Sequence, residues 1–344
     1  MKAKSAASQV LERHESQFDH KKVMVAGDVH DRFVLQLAAK KLFVHCTQFH
    51  IYQMLSTQAD HIEIDFGLLP PSHFFEQADT LIYYWPKNKV EAQFQLAYLL
   101  NGLNKDVDIF IVGENRCGVK SAENLLADFG HIQKIDSARR CGLYYFKAES
   151  RSAFALDEWW HQYHLELDHI ALSVHALPGV FSQRNLDSGS ELLLNALYER
   201  ADLVKGNVLE IGCGCGVLSA FLAKMNSAIQ LTATDVSAAA LASTEKTLAE
   251  NHIQAHVLAS DVFSHITERF DLIVSNPPFH DGKETSYDAV NALIQQAKSH
   301  LSLKGKLCIV ANSFLPYQSI LIERFKHVDV LAQTSKFKVY LAND

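Results

Sequence analysis

Short apolar runs alternate with amphipathic stretches along the second half of the chain. These runs are rich in β-branched residues, and their length predicts buried strands. They lie at 208–212, 229–236, 255–262, 270–276 and 305–312. Helical patterns follow the first two, the second beginning at Ser237, a residue type that caps helices. Strands separated by helices predict a parallel sheet with helices on both faces. The last two runs, 327–335 and 336–343, have no helix between them and predict an antiparallel edge hairpin.

The first half of the chain repeats this pattern in a weaker form. Residues 21–31 are placed like 206–216, 78–89 like 270–281, 107–115 like 306–312, and 134–148 like 330–343. The offset between matched positions changes slowly along the chain, as small loop insertions would produce. We therefore predict an α/β protein made of two tandem Rossmann-like folds, each a parallel sheet with an antiparallel edge hairpin. Any two α/β domains would share part of this pattern, but the slow drift favours a duplication.

The strand–helix rhythm breaks around Trp159 and Trp160, and this break predicts the junction of the two folds. We expect a first domain at 1–155, a linker at 156–175 and a second domain at 176–344. A chain of 344 residues is long enough for two domains, each with its own core. The two tryptophans are interpreted as packing residues rather than as a platform for stacked bases.

Charge and composition exclude several classes of protein. The 32 basic and 39 acidic residues give a net charge of −7, so contact with nucleic acid would need local basic patches. No apolar run approaches the ~18 residues of a membrane span, and the first residues lack the apolar segment of a signal peptide. Six cysteines are too few for a disulfide framework, so we expect reduced thiols and a cytoplasmic protein. The histidines lack metal-binding companions, and Cys213 and Cys215 lie in a glycine-rich loop that favours packing, so no metal is expected.

A loop containing Glu210, Gly212, Gly214 and Gly216 lies between a predicted strand and a predicted helix. Glycines allow tight turns and close approach of a ligand, and amides at a helix N-terminus suit a polar or anionic ligand. A dinucleotide-binding loop has the spacing G-x-G-x-x-G. The spacing here is G-x-G-x-G after an acidic residue, which resembles the S-adenosylmethionine loop of α/β methyltransferases. These four residues are therefore predicted to bind that cofactor.

Two acidic residues end the next two strands. Asp235 is placed to accept hydrogen bonds from both ribose hydroxyls of a nucleoside cofactor, although an aspartate here could also cap the following helix. Asp261 would accept a bond from the adenine amine while Val262 packs on the ring, but a simple turn explains Asp261 almost equally well.

The sequence Asn276-Pro277-Pro278-Phe279 ends the fourth strand and indicates the chemistry. An exocyclic amine on a base is a poor nucleophile because its lone pair is delocalised into the ring. The Asn276 amide oxygen and the Pro277 carbonyl can accept its two N–H bonds and direct the lone pair at a methyl sulfonium. Proline holds that carbonyl in place, and Phe279 can stack on the planar substrate. Asn276, Pro277 and Phe279 are thus predicted to be catalytic, with Asn276 also lining the cofactor site.

Longer blocks make the resemblance closer. They are 177–194, 276–282 and 314–321 in the second half, and 79–96, 112–123 and 136–146 in the first half. Over nearly the whole chain, these blocks resemble the small-subunit ribosomal RNA guanine-N2 methyltransferases of the RsmC type. The resemblance implies a duplicated class I methyltransferase fold whose second copy transfers a methyl group from S-adenosylmethionine, leaving S-adenosylhomocysteine. It implies as target the N2 of one guanine, nucleotide 1207, in the 16S RNA of the 30S subunit, and we expect a monomer.

The motif residues of that family match Gly212, Gly214, Asp235, Asp261 and the segment 276–279. The chain departs from the commonest form of the motif in having Glu210 rather than Asp, and Cys215 where a smaller residue is usual. These departures leave the exact loop contacts open. The resemblance also places 178–190 over the cofactor. His280 follows the active-site phenylalanine and could line the pocket, although a structural role explains it equally well. Phe181 and Asp187 belong to that covering segment.

The first copy is predicted to bind no cofactor, and the resemblance gives it a role in RNA binding and folding. Gly27 stands alone where the second copy has three glycines, and residues 84–87 read Tyr-Trp-Pro-Lys in place of Asn-Pro-Pro-Phe. Basic residues in loops or at strand ends could contact RNA phosphates, although ordinary surface charge explains each of them equally well. They are Lys87, Lys89, Arg116, Lys120, Arg139 and Arg140.

Three other functions remain open from the residues alone. The related large-subunit guanine-N2 methyltransferases also carry N-P-P-F-H, although the first-half blocks argue against them. Enzymes that methylate adenine N6 or glutamine N5 carry a similar motif at the same strand end. A ribosome assembly factor that binds RNA without catalysis is the non-enzymatic alternative.

Overall fold

The structure is a computed structural model that describes residues 4–57, 59–277 and 284–344. It divides the chain into two compact units, Met1–Trp159 and Trp160–Asp344. Each unit is built on a seven-stranded sheet with the same strand order, which confirms the prediction of two tandem Rossmann-like folds.

The first unit contains strands β1–β7 and helices α1–α5. The strands are β1 (Lys22–Gly27), β2 (Lys41–Cys46), β3 (Ile62–Phe66), β4 (Thr80–Tyr84), β5 (Asp108–Glu114), β6 (Gly130–Ala138) and β7 (Cys141–Ala148). The helices are α1 (Ala6–Glu12), α2 (Phe49–Leu55), α3 (Ser72–Gln77), α4 (Lys89–Gly102) and α5 (Ser121–Leu126). The sheet order is β3-β2-β1-β4-β5-β7-β6, with antiparallel β5–β7 and β7–β6 pairs and parallel pairing among the other described strands.

The second unit repeats this order as β12-β11-β10-β13-β14-β16-β15. Its strands are β8 (His161–Leu167), β9 (Ile170–Ala176), β10 (Asn207–Ile211), β11 (Gln230–Asp235), β12 (His256–Ala259), β13 (Phe270–Ser275), β14 (Leu301–Asn312), β15 (His327–Gln333) and β16 (Phe337–Asn343). Its helices are α6 (Ser188–Glu199), α7 (Val217–Met225), α8 (Ala238–Glu250), α9 (Glu284–His300) and α10 (Tyr317–Arg324). The edge strands β15 and β16 form the predicted antiparallel hairpin.

The cores lie on both faces of the central strands. In β13, Leu272, Ile273 and Val274 are fully buried, because parallel strands are covered by helices on both sides. One cluster of the second unit joins the β10, β13 and β14 side chains to α9 and α10. This packing fixes the carboxyl ends of the strands, where the predicted site residues lie. Among the described helices, none is long and apolar enough to cross a membrane.

The region predicted as a linker, 156–175, instead contains regular structure. A short 3₁₀ turn, Leu156–Trp159, ends the first unit, and β8 and β9 form a hairpin that belongs to the second. The hairpin is fastened to α8, since Thr247 accepts a 3.0 Å bond from the His175 amide and Asn251 accepts a 3.1 Å bond from the Ser173 amide. The second unit therefore begins at residue 160 rather than 176. Trp159 packs against Phe94, 5.4 Å between ring centroids.

Candidate active site

The carboxyl ends of β10, β11 and β13 meet at one edge of the second sheet. The amides of Gly212 and Cys213 donate to the carbonyl of Thr234 at 2.8 and 2.9 Å. The Ser275 hydroxyl donates to the Ile211 carbonyl at 2.7 Å. These bonds tie the three strand ends together, so the glycine loop, Asp235 and Asn276 become neighbours although they are far apart in sequence.

The glycine loop needs its glycines for two different reasons. Gly212, Gly214 and Gly216 all have positive φ angles of 76°, 55° and 77°, a region that residues with a Cβ rarely adopt. A Cβ on Gly216 would lie 2.9 Å from the Thr244 Cα, so Gly216 allows α7 and α8 to approach. A Cβ on Gly212 would meet nothing within 4 Å. Gly212 therefore borders open space that a ligand can enter.

Glu210 lies beneath this loop rather than on its open side. Its side chain is 2% exposed and accepts a hydrogen bond from the Ser219 hydroxyl of α7. Burial raises the pKa of the carboxyl to about 8, with a smaller contribution from Asp235, although hydrogen bonds from Ser219 oppose the shift. Glu210 supports the turn from below, which differs from the direct cofactor contact that the sequence predicts.

Asp235 closes the loop from the side. Its Oδ2 accepts from the Gly214 amide at 3.0 Å, and its Oδ1 accepts from the Ser237 amide at 2.9 Å. Burial raises the pKa of this carboxyl, and the backbone hydrogen bonds oppose that shift. Asp235 thus lies beside the glycine loop, where a ligand role would need it. It also contacts the start of α8, the helix-capping role that the sequence left open.

Asp261 and Val262 follow β12 at the same edge. Asp261 is exposed, and its amide donates to the Ser264 hydroxyl at 2.9 Å. Val262 has a φ angle of 52°, which is unusual for a β-branched residue. Strain of this kind often occurs beside ligands. The exposed carboxylate with a constrained valine beside it is consistent with the predicted adenine contact.

Asn276 is held by α6. Its Nδ2 donates to the Ser190 hydroxyl at 2.7 Å and approaches the two Asp187 carboxylate oxygens at 3.3 and 3.4 Å. Its Oδ1 is buried and has no hydrogen-bond partner among the described residues. Pro277 is buried directly after it. Pro278, Phe279 and His280 lie outside the described residues.

The segment 178–190 contacts the glycine loop. The Cys215 thiol donates to the Ser182 carbonyl at 3.7 Å, and the Phe181 carbonyl is the nearest atom, at 3.8 Å, to a Cβ placed on Gly214. The Phe181 side chain is 58% exposed. Burial raises the pKa of Cys215 to about 12, which keeps the thiol neutral. Within the described ranges, no group of His, Cys, Asp and Glu could hold a metal ion.

Sequence reasoning missed two contributions to this site. Ser190 is an ordinary helix serine in the sequence, and only the fold shows that it binds Asn276. Tyr163, on the unexpected hairpin, places its hydroxyl 4.0 Å from the Cys215 thiol. The available signal was Asp187, a residue type that caps helices, which predicts a helix start next to Ser190.

The corresponding edge of the first unit is filled by side chains. Cys46 ends β2 where Asp235 ends β11, and it is 2% exposed. Trp85 follows β4 where Pro277 follows Asn276, and its indole N–H donates to the Cys117 carbonyl at 3.1 Å. Asp31 is buried and accepts from the Ser5 amide at 2.6 Å.

The candidate RNA-contact residues of the first unit are all exposed and share one edge. Lys87 and Lys89 follow β4, and Arg116 follows β5. Arg139 and Arg140 form the β6–β7 turn, which the pairing of Glu114 with Cys141 brings beside the end of β5. Lys120 is exposed before α5. Arg116 forms an ion pair with Glu114, so it is the least available for a phosphate.

Comparisons with known proteins agree with this geometry. Residues 171–341 match the family model "Methyltransferase small domain", and residues 8–163 match "Methyltransferase small domain N-terminal". Proteins of Yersinia pseudotuberculosis (serotype IB, strain PB1/+) and Yersinia pestis (strain Pestoides F), each called ribosomal RNA small subunit methyltransferase C, are 49% identical over 99% of this chain and 96% of their own. The 16S rRNA N2 G1207 methyltransferase (RsmC) of T. thermophilus, solved with AdoMet and guanosine, has a TM-score of 0.83, with 23% identity over 98% of this chain and 92% of its own. That likeness shows the shared fold.

Proposed function

Because the chain belongs to the ribosomal RNA small subunit methyltransferase C family, we propose that it transfers a methyl group from S-adenosylmethionine to the N2 of a guanine in 16S ribosomal RNA. The observation that carries the proposal is the buried Oδ1 of Asn276, an acceptor without a partner in the described ranges, at the edge shared with the glycine loop. The T. thermophilus relative is named for G1207, and we propose the equivalent guanine of the 30S subunit as the target.

The residues at this edge fit S-adenosylmethionine. The open space at Gly212 would receive the amino-acid part, and Asp235 would accept bonds from the ribose. Asp261 and Val262 would hold the adenine. When bound, this cofactor supplies an electrophilic methyl group on a sulfonium and remains as S-adenosylhomocysteine.

Catalysis by these residues is positioning. The Asn276 Oδ1 and the Pro277 carbonyl accept the two amine hydrogens, which directs the nitrogen lone pair away from the ring and towards the methyl group. We propose from the sequence that Phe279 stacks on the base and that His280 contributes to the pocket. A guanine within structured RNA would first be extruded from its helix into this site.

The first unit would bind RNA and support folding without binding cofactor. In the first unit, Cys46 stands where Asp235 would bind the ribose, and Trp85 stands where the Pro277 carbonyl would accept from the amine. The unit's exposed basic residues offer phosphate contacts. One catalytic unit and one RNA-binding unit per chain suffice for activity, so we propose that the protein acts as a monomer. A ribosomal RNA substrate would place it in the cytoplasm.

The test is transfer of tritiated methyl from S-adenosylmethionine to 30S subunits that lack this modification. We expect label in 16S RNA at one guanine, and Asn276→Ala to lose about 100-fold or more in kcat. Calorimetry should give one S-adenosylmethionine per chain for both proteins. Label in 23S RNA, DNA or protein instead of 16S RNA would reject the substrate, and undiminished turnover by the variant would reject the mechanism.

A further inference from the structure

The start of helix α6 forms a clamp on the Asn276 amide. Asp187 caps the helix by accepting from the amides of Gly189 and Ser190 at 2.9 and 3.1 Å. The same carboxylate accepts from the Ser182 hydroxyl at 3.1 Å and lies 3.3 Å from the Asn276 Nδ2. We propose that Asp187, assisted by Ser190, is a positioning residue that sets the direction of the Asn276 amide. This inference rests on the proposed function.

The clamp permits only one orientation of the amide. A serine hydroxyl can donate or accept, so Ser190 alone would tolerate either end of the Asn276 side chain. An ionised carboxylate only accepts, so the NH₂ group of Asn276 must face Asp187. Flipping the amide would place its oxygen against both carboxylate oxygens. Asp187 is itself held in place by the three bonds to 182, 189 and 190, and it cannot turn aside.

Because of this orientation, the Asn276 Oδ1 stays available to accept a hydrogen bond from the substrate. With its nitrogen held, Asn276 keeps Oδ1 buried and without a partner among the described residues. A buried unpaired acceptor opposes folding. Asp187 prevents the amide from relieving that cost by turning over to accept the Ser190 hydroxyl proton. Before substrate binds, the oxygen is therefore already directed towards the position where it would accept the amine hydrogen.

The first unit provides an internal comparison. Its α1 starts with Ser5, and three residues later the Ser8 hydroxyl lies 3.0 Å from the hydroxyl of Tyr84, the residue that ends β4. The helix serine that touches the neighbouring strand end is thus present in both units. In the first unit the cap residue is Ser5, and the carboxylate at the helix start, Asp31, belongs to the loop after β1 and accepts from the Ser5 amide and the Ser8 hydroxyl. In the second unit the cap residue itself, Asp187, supplies the carboxylate, and it approaches the Asn276 amide that follows the neighbouring strand.

Asp187→Asn tests this role with little change of shape. Asparagine caps helices as well as aspartate, but its amide can donate to Oδ1 of Asn276 and so no longer dictates the orientation. We expect kcat to fall about 10- to 100-fold, with KM for S-adenosylmethionine within about twofold and an unchanged melting temperature. Ser5→Ala, which removes the matching cap in the first unit, should lower stability and leave kcat unaltered. A kcat for D187N within about twofold of the parent would overturn the proposal.

A reciprocal exchange separates positioning from folding. Asn276→Asp alone sets two carboxylates about 3.3 Å apart and should abolish transfer. In D187N/N276D the amide at 187 donates to the carboxylate at 276, whose second oxygen can still accept from the amine. We expect the double variant to be about tenfold or more faster than N276D. Additive losses would refute the clamp, while an unaltered chain that fails to label 16S RNA would refute the proposed function instead.

Discussion

Glu210 shows how burial changes a single carboxyl group. It is enclosed between β10 and α7, where water cannot solvate its charge, and its pKa rises from 4.5 to about 8. The protonated form therefore predominates in the folded protein at neutral pH, whereas the unfolded chain loses the proton near pH 4.5. The folded state binds one more proton than the unfolded state between these values, so its stability falls as pH rises from about 4.5 to 8.

Glu210→Gln should remove this pH dependence. The amide has the shape of the protonated acid, stays neutral at every pH and can still accept from Ser219. We expect the variant to unfold at a temperature about 3 °C or more above the parent at pH 8.5, with the gap closing towards pH 5. Thermal unfolding from pH 5 to 9 measures this. A constant gap across that range would mean that the carboxyl of Glu210 is not the titrating group.

At the residue scale, the sequence predicted where Asn276 and Asp235 lie better than it predicted the residues that contact them. Both follow strands that meet at one edge of the sheet, and their residue types suit the proposed roles. Ser190 was not predicted, since its contact with Asn276 spans 86 positions and depends on the tertiary fold. Glu210 was placed in the correct loop, but its inward orientation follows from packing against Ser219, which no local pattern records.

In the glycine loop, Gly212 and Gly216 have the same backbone strain, but a side chain would have different effects at the two positions. Gly212 and Gly216 have nearly the same φ, 76° and 77°, so alanine at either costs about 1–2 kcal/mol of backbone strain. At Gly216 the added methyl also meets the α8 backbone at 2.9 Å, which adds about 1–3 kcal/mol. At Gly212 it enters open space on the ligand side.

The two alanine variants should therefore separate stability from binding. We expect Gly216→Ala to melt well below Gly212→Ala. Gly212→Ala should lose about tenfold or more in affinity for S-adenosylmethionine, or about 1.4 kcal/mol, because its methyl occupies the approach to the loop. Each serves as the control for the other, since both carry the same strain. If G212A bound the cofactor as well as the parent, the open space at Gly212 would not be the ligand side.

The elements that the sequence predicted best were the buried parallel strands. Their apolar runs are bounded by glycines and polar ends, and both edge hairpins follow from the missing helix. The β8–β9 hairpin was mistaken for a linker because β8 has no buried residue and the turn lacks glycine. Asp168 and His169 form that two-residue turn with φ angles of 48° and 67°. The usual Asn-Gly signal of such a turn is absent.

At the scale of the whole chain, duplication has produced two sheets of identical order with different edges. The slow drift of matched positions predicted this repetition. The sequence also predicts that the first edge differs from the second, since Trp85 and Asp31 stand where the second unit has proline and glycine. The contacts of Asp31 with Ser5 and Ser8 at the start of α1 were not predictable, because they depend on the tertiary fold.

The basic edge of the first unit should bind RNA through its charge. Arg139 and Arg140 are exposed on a tight turn, where positive φ angles of 51° and 61° hold the backbone. We expect Arg139→Ala/Arg140→Ala to weaken binding of 30S RNA about tenfold and to reduce the slope of log affinity against log salt by about 1.5–2. KM for S-adenosylmethionine should not change, because the residues proposed to bind the cofactor lie in the other unit.

The matched control removes two charges from the opposite edge of the same sheet. Lys40 and Lys105 are exposed and precede β2 and β5, at the amino ends of those strands. Lys40→Ala/Lys105→Ala lowers the net positive charge of the unit equally, so it separates a local phosphate contact from a general electrostatic effect. We expect this pair to change RNA affinity less than twofold. Filter binding of both double variants at several salt concentrations decides the matter: equal losses would assign the effect to overall charge, and no loss from the arginine pair would remove the β6–β7 turn from the RNA interface.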